Sequence, residues 1–511
     1  MIRRMSLLLP FMALLVLSAI IAGPYRLTAA AIVEGTGFQN ANHLKDRIHR
    51  VENGLLLPVV VKGRADSGMK LDDRMRFYKT PGVSIAVIND GVIEWARGYG
   101  LQDIETGKPV TVETLFQAAS ISKPVAAMGA LSLVEHGKLS LDENVNQKLV
   151  SWKVPDEWKA IVLDAEKDIY VSLRGIVTHS AGLTVHGFRG YAAGEDVPSL
   201  VQILNGQKPA NSAAIRVDIV PGSKWRYSGG GYTVMQQMII DVAQKPFPDF
   251  MQETVLSPLG MKQSTYQQPL PESRRASAAT GYRPGGEEVK GKWHAYPEMA
   301  AAGLWTTPTD LAKFALELQK SRAGKSNRVL SREMAAQMTT KQFENWGLGL
   351  SVAGEGKSLK FSHGGSNEGF RCIMIAYADT GQGAVIMTNS DKGGALLPEI
   401  IRAIAREYNW PDYGPKERDA AKVAPAIYKR YAGRYEISPS SIATITVENG
   451  RLFIQAPVVS VEKAELHPES EERYFLAAND TVISFVRDER GGASEMIIKL
   501  GRQTLKAKRV E

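Results

Sequence analysis

Cysteine is nearly absent from this chain of 511 residues, in which Cys372 is the only one. A single cysteine excludes an intramolecular disulfide and a metal site made of several thiolates. The eight histidines show no His-Glu-x-x-His motif or other metal-ligand spacing, and no Gly-x-Ser-x-Gly nucleophile elbow is present. These absences argue against zinc hydrolases and α/β-hydrolases, and we expect neither a metal nor an organic cofactor.

Long blocks of one charge sign are also missing. Lysine and arginine number 62 against 54 aspartates and glutamates, and no basic block carries interleaved aromatic residues. We therefore expect no nucleic-acid partner. With 44% apolar and 23% charged residues, the composition is typical of a globular protein, and the length predicts more than one domain.

One long apolar run stands at the N-terminus. Arg3 and Arg4 precede SLLLPFMALLVLSAIIAG, and LTAAA, which ends at Ala31, supplies small residues for cleavage. This order predicts an export signal peptide over residues 1–31, and hence a periplasmic or secreted protein. The run is close to membrane-spanning length, so an uncleaved anchor is the alternative and would be the chain's only membrane contact.

The remaining chain divides into segments with different patterns. Alternating apolar and polar residues surround Asn89-Asp90-Gly91, which predicts a hairpin, and strand-like runs return between residues 346 and 390. Helical patterns lie between them, which indicates an α/β domain over 32–412 whose first and last parts share one antiparallel sheet. The polar, proline-rich segment 413–425 is typical of a linker, and 426–511 predicts a small all-β domain, barrel-like or a sandwich.

The stretch SISK places a serine and a lysine on one helix face. Small and apolar residues fill the stretch from Ala118 to Val134, which predicts a buried helix from Ser120 to near Gly137, and Lys123 lies three positions after Ser120. Burial disfavours the charged form of a lysine, so Lys123 could accept the proton of Ser120. The alternative is a lysine that extends to solvent. The same spacing at Ser67 and Ser460 lacks such a helix.

Three motifs in order, SISK, RYSGGGY and FSHGGS, resemble those of the serine β-lactamase/DD-peptidase superfamily, in its class C-like branch. The resemblance implies a β-lactamase/transpeptidase-like αβα sandwich, with a central antiparallel sheet and a helical region. It also implies a covalent acyl-enzyme on Ser120, with Lys123 and Tyr227 sharing the proton transfers.

The third motif supplies the other side of the implied site. By the same resemblance, His363, Gly364 and Gly365 would lie on the strand that lines the site. The backbone N–H groups of Ser120 and Ser366 would form the oxyanion hole.

Two positions depart from the pattern of the superfamily. The second motif usually reads Tyr-Ser/Ala-Asn, and Gly229 stands at the position of the asparagine that binds a substrate amide. His363 stands where many β-lactamases have lysine, which removes a permanent positive charge. Both changes favour ester or small-amide hydrolysis over DD-peptidase activity and, last, β-lactamase activity.

A different class of function remains open on the same fold, since fold does not determine function. The chain could be a non-catalytic sensor that binds cell-wall peptide or penicillin. Intact Ser120, Lys123 and Tyr227 favour turnover, because a binding protein needs no buried lysine. The expected substrate is a small ester or amide, or a cell-wall peptide. We expect His179 to be a packing residue, and the oligomeric state stays open.

Overall fold

The computed structural model describes residues 38–63, 68–157, 169–457, 461–489, 491–501 and 503–510. The predicted signal peptide lies outside this part of the chain. Up to residue 418, the described strands are β1 (Val59–Val61), β2 (Gly82–Asn89), β3 (Val92–Asp103), β4 (Lys108–Pro109), β5 (Phe116–Gln117), β6 (Trp305–Thr306), β7 (Ser351–Ala353), β8 (Lys360–Asn367), β9 (Phe370–Tyr377), β10 (Gly383–Thr388) and β11 (Lys416–Arg418).

Helices account for most of the chain between β5 and β7. The described α-helices are α1 (Phe38–Glu52), α2 (Leu71–Phe77), α3 (Ser122–Glu135), α4 (Leu173–Val177), α5 (Leu200–Asn205), α6 (Gly229–Ala243), α7 (Phe247–Met251), α8 (Glu272–Arg275), α9 (Met299–Ala302), α10 (Pro308–Arg322), α11 (Arg332–Met338), α12 (Gly393–Glu407) and α13 (Pro425–Tyr431). None of the helices in these ranges is both long and apolar enough to cross a lipid bilayer.

Seven strands form one antiparallel sheet in the order β4-β3-β2-β10-β9-β8-β7. The first and last parts of the domain therefore meet at the β2–β10 pair, as the sequence predicts. The predicted hairpin joins β2 to β3, and its turn residues Asp90 and Gly91 both have positive φ. Such a turn matches the right-handed twist of the two strands.

Alternate residues of β2 enter different cores on the two faces of this sheet. Val83, Ile85 and Val87 pack in one cluster with α12, while Ala86 and Ile88 pack in another with α3 and α6. Helices thus cover both faces, which confirms the αβα architecture.

The C-terminal strands close into a barrel, one of the two alternatives left open by the sequence. In order around the barrel they are β12 (Gly433–Ser438), β13 (Ser441–Glu448), β14 (Arg451–Ala456), β15 (Val461–Pro468), β16 (Arg473–Leu476), β17 (Val482–Arg487), β18 (Ala493–Leu500) and β19 (Gln503–Arg509). The barrel core includes Tyr431 of α13, whose ring stacks on Phe485 at 4.2 Å.

The segment predicted as a linker contains β11, which pairs in parallel with β1. β1 also contacts the barrel, because Val59 N donates to Ala477 O at 3.2 Å and Phe475 packs against Val59 and Val61. The partner strand lies more than 350 residues earlier, so a polar, proline-rich pattern gave no sign of this pairing.

Candidate active site

Ser120 lies in a short 3₁₀ turn, Ala119–Ile121, and α3 begins only at Ser122. The sequence placed Ser120 at the start of the helix itself. Ala119 has a φ of 48°, in the left-handed region that costs an alanine about 1 kcal/mol or more. Ala118 holds the turn in place, since its N–H donates to Leu304 O at 2.8 Å.

Lys123 is enclosed in the protein, with only 2% of its surface exposed. Its Nζ donates to Ser120 Oγ at 3.0 Å and to Ala301 O at 2.8 Å. The ring centroid of Tyr227 lies 4.9 Å from the same nitrogen, and that of Tyr232 lies 5.8 Å away. The alternative of a lysine that extends to solvent is therefore wrong. In place of water, the Lys123 nitrogen has a hydroxyl, a carbonyl and two aromatic rings as neighbours.

Tyr227 is surrounded by aromatic and imidazole rings. His179 lies 4.3 Å from its ring, His186 lies 4.9 Å away, and Trp346 and His363 lie just beyond 6 Å. The rings hold the phenol beside Lys123 from several sides. The structure thus brings Ser120 and the residues of the second and third motifs to one place.

The two buried histidines of this cluster are held neutral. Burial, and then the nearby charge of Lys123, lowers the pKa of His179 well below its ordinary range. The same two causes lower the pKa of His363 to about 3, although its Nδ1 donates to Gly364 O at 2.6 Å. Near neutral pH, neither imidazole therefore adds a positive charge to this end of the site.

β8 passes close to the turn that carries Ser120. A Cβ at Gly365 would lie 2.3 Å from Ala118 O and from Cys372 Sγ, so only glycine permits this approach. Cys372 is buried, as expected for a core thiol, and donates to Ala118 O at 3.1 Å. Gly364 and Ser366 lie on the other face of the strand and are exposed. The pairing of β7 covers β8 only up to Ser362.

Gly229 is not an open contact point for substrate. It is the first residue of α6, it is buried, and its N–H donates to His186 O at 3.0 Å. A Cβ at this position would meet His186 O at 3.0 Å and the ring of Phe188 at 3.1 Å. The loop that contains His186 and Phe188 therefore occupies the space beside Gly229.

Three parts of the site were not found from the sequence. Ala301 contributes only a backbone carbonyl, which no motif can report. Trp346 and His186 reach Tyr227 across long sequence separations. His179 is a packing residue as expected, since it is buried and its Nδ1 accepts from Ser228 N at 3.1 Å. Its ring also packs against that of Tyr227, with an angle of 32° between the two planes.

In the ranges that the structure describes, no three side chains from His, Cys, Asp and Glu form a group that could hold a metal ion.

Comparisons with known proteins point to one family. Penicillin-binding protein 4* of Bacillus subtilis (strain 168) is 23% identical over 456 residues, which cover 82% of this chain and 93% of that protein. Esterase EstB of Burkholderia gladioli is 28% identical over 210 residues, covering 39% of this chain and 51% of that protein. The octameric penicillin-binding protein homologue from Pyrococcus abyssi shares the fold, with a TM-score of 0.58 and 22% identity over 85% of this chain and 98% of that one.

Family models divide the chain into two matched regions. A domain of unknown function (DUF3471) matches residues 417–509, the region of β11, α13 and the barrel. The beta-lactamase model matches residues 70–408, which include all three motifs. This match covers more than half of the chain, which confirms the resemblance seen in the sequence: the chain belongs to the beta-lactamase family.

Proposed function

We propose that this protein is a serine hydrolase that acts on ester or amide substrates through a covalent acyl-enzyme on Ser120. The hydrogen bond of 3.0 Å between Lys123 Nζ and Ser120 Oγ, at a lysine that is 2% exposed, carries this proposal. A serine hydroxyl is a weak nucleophile until a neighbouring base takes its proton. A buried amine within hydrogen-bond distance is suited to that task.

In the acylation step, Ser120 Oγ would attack the carbonyl carbon of the substrate and pass its proton to Lys123 or Tyr227. To act as this base, Lys123 would keep its hydrogen bond to Ala301 O and turn its lone pair toward the hydroxyl. The carbon–oxygen or carbon–nitrogen bond of the substrate then breaks, and the leaving group takes up the proton. The N–H groups of Ser120 and Ser366 would stabilise the oxyanion.

Deacylation would reverse these roles with water. A water molecule attacks the acyl carbon and gives its proton to the same base. The bond from the carbon to Ser120 Oγ then breaks, and the oxygen takes the proton back. The products are a carboxylic acid and the free enzyme, and no step requires another reactant.

Two features support esters or small amides as the substrate class. His363 is held neutral, so β8 offers no permanent charge to a substrate carboxylate at that position. The loop beside Gly229 fills the space that a substrate-binding side chain would use. One relative is named an esterase, which supports an ester substrate, and another is named for binding penicillin, a compound that contains a cyclic amide.

We also propose that the protein is exported, on the strength of the apolar segment within residues 1–31. Cell fractionation and the intact mass of the mature protein test this point. Cleavage near Ala31 would support a signal peptide, and full-length protein in the membrane fraction would support an anchor.

The decisive experiment measures the intact mass of the protein after exposure to a fluorophosphonate, a penicillin and a p-nitrophenyl ester. Ser120→Ala is the control. Adducts on the wild type alone, together with ester turnover, would support the proposal, and lasting penicillin adducts would move it toward DD-peptidases. No adduct from any reagent would favour the non-catalytic binding protein instead.

A further inference from the structure

Two buried amide side chains join the segments that meet at the candidate site. Gln117 ends β5, three residues before Ser120, and Asn367 ends β8, directly after Ser366. Asn367 Nδ2 donates to Gln117 Oε1 at 2.9 Å. Asn367 is only 5% exposed and Gln117 only 1%. This bond links the two strand ends next to the N–H groups assigned to the oxyanion hole.

The other contacts of the pair determine how each amide is oriented. Gln117 Nε2 donates to His294 O at 2.7 Å, and Asn367 Nδ2 donates also to Ala302 O at 3.2 Å. A backbone carbonyl can only accept, so each of these contacts requires the NH₂ group of the amide. Gln117 must therefore present its oxygen to Asn367, and the pair cannot be flipped without losing hydrogen bonds.

The same short segment of backbone also holds the other groups of the site. Ala301 O accepts from Lys123, and the next carbonyl, Ala302 O, accepts from Asn367. Leu304 O then accepts from Ala118 N, beside Ser120. We name residues 301–304 the carbonyl segment. Lys123, the end of β8 and the turn that carries Ser120 are therefore all hydrogen-bonded to this segment.

We propose that Asn367 and Gln117 are positioning residues that set the separation between the N–H groups of Ser120 and Ser366. This inference rests on the proposed hydrolase function. An oxyanion hole stabilises the transition state only when its donors lie about 2.7–3.1 Å from the developing oxyanion. β9 holds the end of β8 from one side, while the hydrogen bond between the two side-chain amides ties it to the segment that precedes Ser120. Without that hydrogen bond, a small shift of the end of β8 away from Ser120 would move the N–H of Ser366 out of this range.

Asn367→Leu and Gln117→Leu test the assignment. Each keeps the approximate volume of the side chain and removes the hydrogen bond between the two side-chain amides. For a p-nitrophenyl ester, we expect kcat to fall about 10- to 100-fold with KM within about twofold, as misplaced donors require. The double variant should be little worse than either single one, since both changes remove the same bond. Ser120→Ala and fluorophosphonate labelling of the wild type show separately whether the chain is a serine hydrolase at all.

The thionoester analogue of the same substrate reports on the oxyanion hole directly. Sulfur accepts hydrogen bonds weakly, so displaced donors should harm the ester more than the thionoester. We expect kcat/KM for the ester, divided by kcat/KM for the thionoester, to fall about tenfold in both variants. Gln319→Leu is the matched control, because it removes a buried amide bonded to Tyr377 O and Gln382 O. It should lower the melting temperature and leave the ratio unchanged.

Clear results would overturn the inference. Folded Asn367→Leu with wild-type kcat, or with reduced kcat and an unchanged thionoester ratio, would show that the pair only stabilises the fold. If that variant does not fold, the milder Asn367→Ser provides the same comparison. A wild type that no fluorophosphonate labels would refute the hydrolase proposal and this inference together, whereas labelled variants with wild-type ratios refute the inference alone.

Discussion

Replacing Glu298 by glutamine should stabilise the protein increasingly as the pH rises from 5 to 8. Glu298 immediately precedes α9, one turn before Ala301, and is 0% exposed. Within the described residues, neither of its carboxyl oxygens has a hydrogen-bond partner. Burial raises the pKa of this carboxyl from 4.5 to about 8.

The sign and size of the effect follow from proton binding. Above pH 4.5 the carboxyl ionises in the unfolded chain, while the folded protein keeps it protonated up to about pH 8. The folded state then binds more protons, so its stability falls as the pH rises. At about 1.4 kcal/mol per pKa unit, the loss between pH 5 and pH 8 is about 3 kcal/mol. Glutamine at this position cannot ionise and avoids the loss.

Calorimetric melting temperatures at pH 5, 6, 7 and 8 provide the test. For a domain of some 340 residues, about 3 kcal/mol corresponds to about 4 °C. The melting temperature of Glu298→Gln, relative to wild type, should rise by that amount across the series. Glu317→Gln is the control. Glu317 is also buried, but its Oε1 accepts from Ser321, Ser326 and Arg328, so its loss should lower the melting temperature.

The outcome that refutes this reasoning is a constant difference between wild type and Glu298→Gln from pH 5 to pH 8. A constant difference would mean that the carboxyl ionises at the same pH in the folded and unfolded chain. The carboxyl would then have solvent or a partner in the folded protein.

Four further substitutions, one of them a control, test the site itself. Lys123→Met should slow fluorophosphonate labelling of Ser120 by about 10²–10⁴-fold, the usual contribution of a general base, and an unchanged rate would contradict this role. Gly365→Ala should lower both the labelling rate and the melting temperature, because the added Cβ would lie 2.3 Å from Ala118 O. Gly364→Ala is the control: its Cβ would have its nearest atom at 3.8 Å, so this variant should melt as the wild type does. Burial lowers the pKa of His363 from 6.5 to about 3, so the unfolded chain binds a proton there that the folded protein does not, and stability falls as the pH drops between these values. His363→Asn should remove this loss, which is about 1.4 kcal/mol per pH unit. Equal acid-unfolding midpoints for His363→Asn and the wild type would contradict this prediction.

The features that could be predicted from the sequence depend on neighbours along the chain. Ser120 and Lys123 share a helix face by their spacing alone, and the turn at Asp90-Gly91 carries its own conformational preference. The motif order was enough to identify the family and hence the sheet.

The features that could not be predicted join residues that are distant in sequence. Gln117 and Asn367 are 250 positions apart, and the carbonyl that holds Lys123 belongs to an alanine. The left-handed φ of Ala119 is imposed by contacts of its surroundings, against the preference of the residue itself. Burial of Glu298 without a partner is a property of the packed interior, which no pattern of residue types expresses.

The parallel pairing of β1 with β11 has a consequence for how the chain comes apart. β1 precedes residues 70–408, which match the beta-lactamase model, and β11 follows them. Val59 pairs with β11 and also donates to Ala477 O, next to barrel strand β16. A protease that cuts between β11 and α13 would therefore leave two pieces that still migrate together on a sizing column. Removing everything beyond Pro411 is a harsher change, because it takes away the partner of β1 and exposes Val59 and Val61 to water.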